Sequence, residues 1–312
     1  MAYGTTLTDM KKLVPEHIGV LTDLLTDAGI LLKLLPFENI PEGFDPPIPT
    51  MSGASGIAFR DFNATYADSA EGVGSVAERI RMFGRTLKID KAMSAQGLAE
   101  KAAQRARAYA YRMGLKFIDT FVNGDITVDT KAFDGIKKRC VDGTRETAAG
   151  ANGGAVTVDL LDDLIQSVSG AANIVLCNRR AHGFVKKLAQ AQTHKVRFEW
   201  TSLPGLTERV MTFDGVPFLP IWENDNGVAV IPDDEIQGTA EDCTSYYALK
   251  LGNGLVRGLQ GKAEPGAAHG LFLGPIEHLP GGRVFVQEME WVAGLAVPSN
   301  NFIYRLKGVN AA

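Results

Sequence analysis

The apolar positions of this chain change period several times, and each change marks an element. Near the start, Ile18, Leu21, Leu24 and Leu25, then Leu31, Leu32, Leu34 and Leu35, recur at helical spacing, and Pro15 suits a first helical turn. This pattern predicts a short amphipathic arm. It is lost over 42–56, where "EGFDPPIPTMSGASG" is built from Pro, Gly and Ser and reads as an extended connector. Two alternating runs follow, "GIAFRDFNATYAD" and "SVAERIRMFGRTLKID", joined by "SAEGVG". In the second run Val76, Ile80 and Met82 fall on one face and Arg79 and Arg81 on the other, as period two requires. The pair predicts a long hairpin with a Gly-rich tip, projecting from the body because it offers few large apolar side chains to bury.

Residues 94–122 then carry a helical stripe through Leu98, Ala102, Tyr109, Met113, Phe117 and Phe121, with Ser94 in the capping position. A helix of that length spans roughly 43 Å at about 1.5 Å per residue. It is a scaffold beam. Where it stops, Asn123, Asp125, Thr127 and Asp129 invite comparison with a cation loop, but Val128 stands where such a loop needs its glycine. The better reading is that Asn123-Gly124 ends the helix in the left-handed conformation and the chain then turns into a strand. "AAGANGGAV" marks an internal boundary. Beyond it come a helix "VDLLDDLIQSV", a strand "NIVLCN", a helix "RRAHGFVKKLAQAQ", a hairpin turning at Asp214-Gly215, and a strand "SYYALKLG". The tail "RVFVQEMEWVAGLAVPSNNFIYRLKGV" predicts two strands about a turn at 298–301. The fold class is α+β, with the beam pairing with the last strands across an inserted segment, 155–264.

Composition narrows the function. The chain has 312 residues, 45% of them hydrophobic and 22% charged, as in a soluble globular protein. A net charge of -4 argues against a general nucleic-acid binder. No stretch is long and apolar enough for a membrane helix, and the start lacks the layout of a secretory signal, so use inside a cell is expected. Charge is uneven: ten basic residues against three acids lie between Ser75 and Lys116, while Glu223 to Asp242 holds seven acids and no base. Two solvated faces would explain this, and so would a basic surface of one copy meeting an acidic surface of another.

Candidate chemistry is sparse. "GNGLVRG" is one residue too long for a dinucleotide loop, and "SGASGI" lies in the connector, away from any strand-to-helix turn. Cys140, Cys177 and Cys243 form neither a C-x-x-C pair nor a disulfide framework, and the five histidines have no zinc-like spacing. Cys177 and His182 could form a dyad, although Cys177 in an apolar strand is more simply core. No enzyme, cofactor or metal is expected.

Taken in order, the arm, the projecting hairpin, the beam ending in "FVNGD", "AFDGIKKR", "NIVLCNRR", "TFDGVPFLPI", "YYALKLGNGLVRGL" and "WVAGLAVPSNNFIYRLKGV" resemble the major capsid proteins of tailed bacteriophages, with the Hong Kong 97-type fold. The resemblance runs through nearly the whole chain. It implies an N-terminal arm (1–41), an extended loop hairpin (42–92), a peripheral domain with the spine helix (93–154), an axial domain (155–264) and the closing strands of the peripheral domain (265–312). It further implies self-assembly into pentamers and hexamers of an icosahedral head around double-stranded DNA contacted non-specifically. The expected location is the virion, assembled in the host bacterial cytoplasm, with portal and decoration proteins as further partners. Some members carry a long cleaved scaffolding segment; here the arm begins close to Met1, so the expectation is a separate scaffold protein or none. An encapsulin-type compartment shell is the alternative, with an α+β enzyme using Cys177 or His182 behind it. Arg79, Arg81 and Arg85 are the candidate inter-subunit contacts.

Overall fold

The computed structural model describes residues 5–10, 16–40, 45–49, 59–63, 65, 75–94, 97–191, 197–203, 209–279 and 281–310. In chain order its main elements are helices α1 (Glu16–Asp27) and α2 (Ile30–Leu34), strands β1 (Phe37–Asn39) and β2 (Ile80–Asp90), and helices α3 (Leu98–Asn123), α4 (Ile136–Asp142) and α5 (Val158–Gln166). Strand β3 (Ile174–Cys177), helix α6 (Arg179–Ala191) and strands β4 (Phe198–Ser202), β5 (Arg209–Phe213), β6 (Val216–Pro220), β7 (Ala240–Leu249), β8 (Arg257–Gln260), β9 (Val284–Ala296) and β10 (Ile303–Val309) complete the set.

Two sheets carry the architecture. In the first, of six strands, β9 pairs along one edge with β2, from Ile80↔Gly294 to Asp90↔Val284, and along the other with β8 and the short strands Leu271–Leu273 and Glu277–His278; β1 adds in parallel beside β8. The second, of eight strands, runs Glu146–Ala148, β10, β7, β3, β6, β5, β4, with Glu235–Gln237 beside β7. Period two splits β3 between two cores: Ile174 and Leu176 face the large cluster with α1, α2 and α3, while Val175 and Cys177 face the cluster under α5 and α6. A sheet covered on both faces needs the continuous apolar run that "IVLC" supplies.

The beam is real but begins later than expected. Gly97, with φ 94, sets the start at Leu98 because a left-handed residue cannot continue a right-handed helix, and residues 91–94 form a separate short turn of helix. Its apolar stripe is buried as Ala102, Ala106, Ala110, Met113, Phe117 and Phe121. Around Phe117 the rings of Phe37, Phe133 and Trp291 gather at 4.9–5.8 Å, joining α3 to β1, β9 and the chain after the helix. At the other contact, a Cβ added to Gly114 would stand 2.3 Å from the Leu25 carbonyl oxygen, so only glycine lets α1 and α3 approach this closely. The hairpin at Asp214-Gly215 forms as expected, both residues having positive φ (48 and 79).

The apolar face of the arm is buried: Leu21, Leu25, Leu31, Leu32, Leu34 and Leu35 pack against α3 and the first sheet, since two short helices with that much leucine can cover a large apolar face. Three expectations are corrected. The run 75–90 is not paired with 59–63 or 65, the described residues of the other run. Residues 59–63 and 65 carry no strand, Ser75–Ala77 pairs with Pro47–Pro49, and β2 is a full member of the first sheet, burying Ile80, Leu87 and Ile89. β9 gives β2 an unbroken eleven-residue pairing, whereas Asn63 has positive φ, outside the range of a strand residue. The hairpin tip and the "SGASGI" stretch lie outside the described residues. Gly124 does end the helix, but with φ -54 and ψ 135 it is extended, not left-handed; it must be glycine because a Cβ would meet the Phe133 and Thr120 carbonyl oxygens at 2.2 and 2.5 Å. A turn follows instead of a strand, with Asp125 Oδ1 accepting from the backbone N–H of Thr127 at 2.8 Å and from its hydroxyl at 2.6 Å.

Strand pairing also cuts across the expected bounds. β8, placed in the axial segment, pairs with β9 in the first sheet, whereas β10, placed with the peripheral closing strands, lies between Glu146–Ala148 and β7 in the second. The chain crosses between the two sheets more often than one insertion requires.

Candidate inter-subunit surface

Among the described residues β2 is an edge strand of the first sheet, pairing with β9 alone. A long edge presents unpaired N–H and C=O groups and is a ready template for another chain unless charge or twist protects it. Here the protection is cationic. Arg85 is exposed and its guanidinium carbon lies 5.0 Å from the centre of the Tyr109 ring on α3. Arg81 is half-buried; its Nη1 lies 3.3 Å from Asp45 Oδ1 and donates to the Ile80 carbonyl at 2.9 Å. Arg79 is half-buried where the chain enters the strand. Arg81 and Arg85 lie on β2 and Arg79 just before it, spread over about 20 Å of extended chain, and two of them already have partners within their own chain.

On the other face Met82, Gly84, Thr86 and Lys88 are exposed, and Glu288 and Glu290 stand opposite Thr86 and Gly84 on β9. Partial burial, then the nearby Glu288 and Glu264 carboxylates, raise Glu290 above the usual carboxylate value. Further out, Phe59 and Phe62 are fully exposed at 107% and 102%, the two largest values among the described apolar residues. Rings so placed gain nothing from their own chain.

The acidic run divides. Glu235 accepts from Arg305 and from Ser245, with Lys137 3.5 Å away, and Asp242 pairs with Arg180 at 3.2 Å. Glu223, Asp225, Asp233, Asp234 and Glu241 are exposed and in no ion pair among the described residues. These five remain open to a neighbour's cations.

Two buried polar constellations had no signal in the sequence. Glu78, between Ser75–Ala77 and β2, receives both Nη atoms of Arg139 and the backbone N–H of Val297. Arg305 on β10 holds Glu146 at 3.1 Å and Glu235 at 2.9 Å, with Lys307 at 2.5 Å from Glu146. In each, the partners lie far apart in the chain, so only the assembled sheets bring them together.

The thiols and the candidate dyad have settled positions. Cys177 Sγ lies 3.7 Å from the Leu219 carbonyl oxygen and complete burial pushes its thiol well up; burial also pushes Cys140 up to about 12. Cys177 faces the core beneath α6, whereas His182 lines an open cavity with Trp200 and Trp222, its imidazole held below the usual value by burial and then by Lys186. The two side chains thus belong to different surroundings, and a thiol raised in this way is not a nucleophile at neutral pH. Among the described residues no group of three or more His, Cys, Asp or Glu is placed to hold a metal ion.

The sequence matches no protein-family profile and no curated protein. Solved structures do match over nearly the whole chain. The holo-SrpI encapsulin complex from Synechococcus elongatus is similar with a TM-score of 0.65 at 17% identity, covering 90% of this chain and 87% of that one. The capsid of an empty GTA particle is similar with a TM-score of 0.61 at 16% identity, covering 91% and 90%. Gordonia phage Cozz gives a TM-score of 0.57 at 13% identity, covering 91% and 87%. At such identities the likeness is one of fold.

Proposed function

We propose that this chain, which has the Hong Kong 97-type capsid fold, is the repeating subunit of a closed protein shell and that its role is structural. The single observation that carries the reading is the end-to-end match to the solved structures of an encapsulin complex and a capsid, at coverage of 87–91% of either chain. The long cationic edge of β2 and the two bare phenylalanines support it, because each is a cost to a solitary chain and an asset to one with neighbours.

The finer reading is a tailed-phage head of pentamers and hexamers around double-stranded DNA, supported by the collinear resemblance of the sequence to phage major capsid proteins. A second reading, an encapsulin-type compartment, is supported by the match to the encapsulin complex at a TM-score of 0.65. Purified chain, examined by light scattering and negative-stain microscopy with and without proteins from neighbouring genes, is expected to give closed particles. A chain that stays monomeric at every salt and protein concentration tested, with those proteins supplied, removes the shell reading. Particles carrying nuclease-protected DNA favour the head; particles carrying a folded protein cargo favour the compartment.

A further inference from the structure

Two of the three tryptophans are exposed, Trp200 at 52% and Trp222 at 56%, while Trp291 is buried at 1%. The exposed pair bound one cavity of about 420 Å³ between α6 and the face of β4, β5 and β6. Each indole has a cation over its ring: the Arg179 guanidinium lies 5.6 Å from the centre of Trp222, and Lys186 Nζ lies 5.2 Å from that of Trp200. Arg209 and His182 line the same cavity. Past Trp200 the groove continues into a second cavity of about 660 Å³ that shares Lys186. No carboxylate lines either cavity, and Arg179, Lys186 and Arg209 enter no ion pair among the described residues. On the far side of Trp222 a third cavity is lined by Asp27, Lys33 and Glu223, so the positive excess lies on the Trp200 side of the groove, along Arg179, Lys186 and Arg209.

We propose that this groove binds single-stranded nucleic acid, with bases stacking at Trp200 and Trp222 and phosphates held by Arg179, Lys186 and Arg209. Stacking platforms beside a cationic track are how strands are held without sequence preference, because every base offers a planar face. The groove is bounded by the face of the second sheet and by a helix, in both of which the main chain is already hydrogen-bonded, as in Trp200↔Met211. Among the described residues β4 ends the second sheet, so an extended peptide could pair only along its outer edge, whereas the walls of the groove itself offer rings and charge. The inference stands on the groove alone and does not require the shell.

The placement of the tryptophans supplies the assay, since groove occupancy changes two emitters and leaves Trp291 dark to the ligand. Full-length chain, in the form in which it purifies, is titrated with oligothymidylate of about ten nucleotides, within the usual site size. Saturable quenching is expected, with log affinity falling against log salt at a slope of about -2 for three cations. Trp222→Leu should weaken binding about tenfold, and Arg179→Gln with Lys186→Gln should flatten the salt slope. An unshifted Trp291 emission in the Trp200→Leu, Trp222→Leu double variant certifies its fold. Absence of saturable quenching overturns the proposal, as do tryptophans closed to acrylamide in the isolated form. Polyglutamate or inorganic polyphosphate binding as tightly as the oligonucleotide overturns it too, by showing that charge alone, or an acidic protein segment, is what the groove takes.

Discussion

Arg139 grips Glu78 with both prongs of its guanidinium, Nη1 to Oε1 at 2.9 Å and Nη2 to Oε2 at 2.5 Å, and both side chains are largely out of water. The same Oε1 accepts the backbone N–H of Val297 at 3.0 Å, so one carboxylate ties the entry to β2, helix α4 and the turn after β9. Stranding one member of a buried pair costs about 3–5 kcal/mol. Arg139→Met is expected to lower the unfolding free energy in urea by that amount, and Glu78→Gln by less, because the amide still accepts from Val297. Adding Glu78→Gln to Arg139→Met should restore part of the loss. Equal, small effects from both single changes would show a pair that water already screens.

Gly114 gives a test of sign. In an exposed helix Gly→Ala gains about 1 kcal/mol, yet here the new methyl would sit 2.3 Å from a carbonyl oxygen of α1. Gly114→Ala is expected to destabilise by about 1–3 kcal/mol in chemical denaturation, as overpacking does. A stabilised variant would mean the two helices do not meet at this point.

Glu146 sets an acid limit. Burial pushes its carboxyl up, but hydrogen bonds and charge from Lys307 and Arg305 outweigh that and hold it below the ordinary value of 4.5. A group depressed in the fold contributes stability that is fully present above its unfolded pKa and is lost as pH falls through the folded one. Urea midpoints should hold steady at neutral pH and drop below about pH 4.5. Glu146→Gln should be less stable at neutral pH and show a shallower drop, and an identical pH profile for both chains would remove the carboxylate from the account.

The thiols should be silent. Cys140 and Cys177 are buried and their thiols raised by that burial. At pH 8 an aromatic disulfide reagent is expected to leave both untouched in the native chain and to titrate all three cysteines in denaturant. Cys177→Ala should cost packing stability only, on the order of 1 kcal/mol; a turnover that vanished with it would restore a catalytic reading.

Charge reversal at Arg79, Arg81 and Arg85 separates folding from assembly. The lost contacts to Asp45 and Tyr109 are partly exposed and worth about 1 kcal/mol each at most. The triple Glu variant is therefore expected to keep its circular dichroism and nearly its urea midpoint while forming no particles. Normal particles would sever these arginines from the contact.

What the sequence made legible was local. The Phe117 stripe, the buried apolar run of β3 and the Asp214-Gly215 turn depend on neighbours within a few residues, and all three are found. Partner choice was not legible. Nothing in "RIRMFGRTLKID" says that it pairs with a strand beginning at Val284, because an alternating strand fits many others equally well. The same holds for Glu78, read as one more charge in a basic run until Arg139 and Val297 closed on it. Trp200 and Trp222 are isolated aromatics in the sequence, and only folding brings Lys186 and Arg179 over their rings.

The position of β10 has a consequence for how the chain is made. β7 lies against β3 on one side and needs β10 on the other, so during synthesis that flank, with Tyr246, Tyr247 and Leu249 along it, stays open until residues 303–309 have left the ribosome. At roughly 5–20 residues per second the wait lasts several seconds. In a cell making many copies at once, nascent chains on one message would hold bare sheet flanks side by side, and a holding chaperone would have its work there, before any subunit is complete.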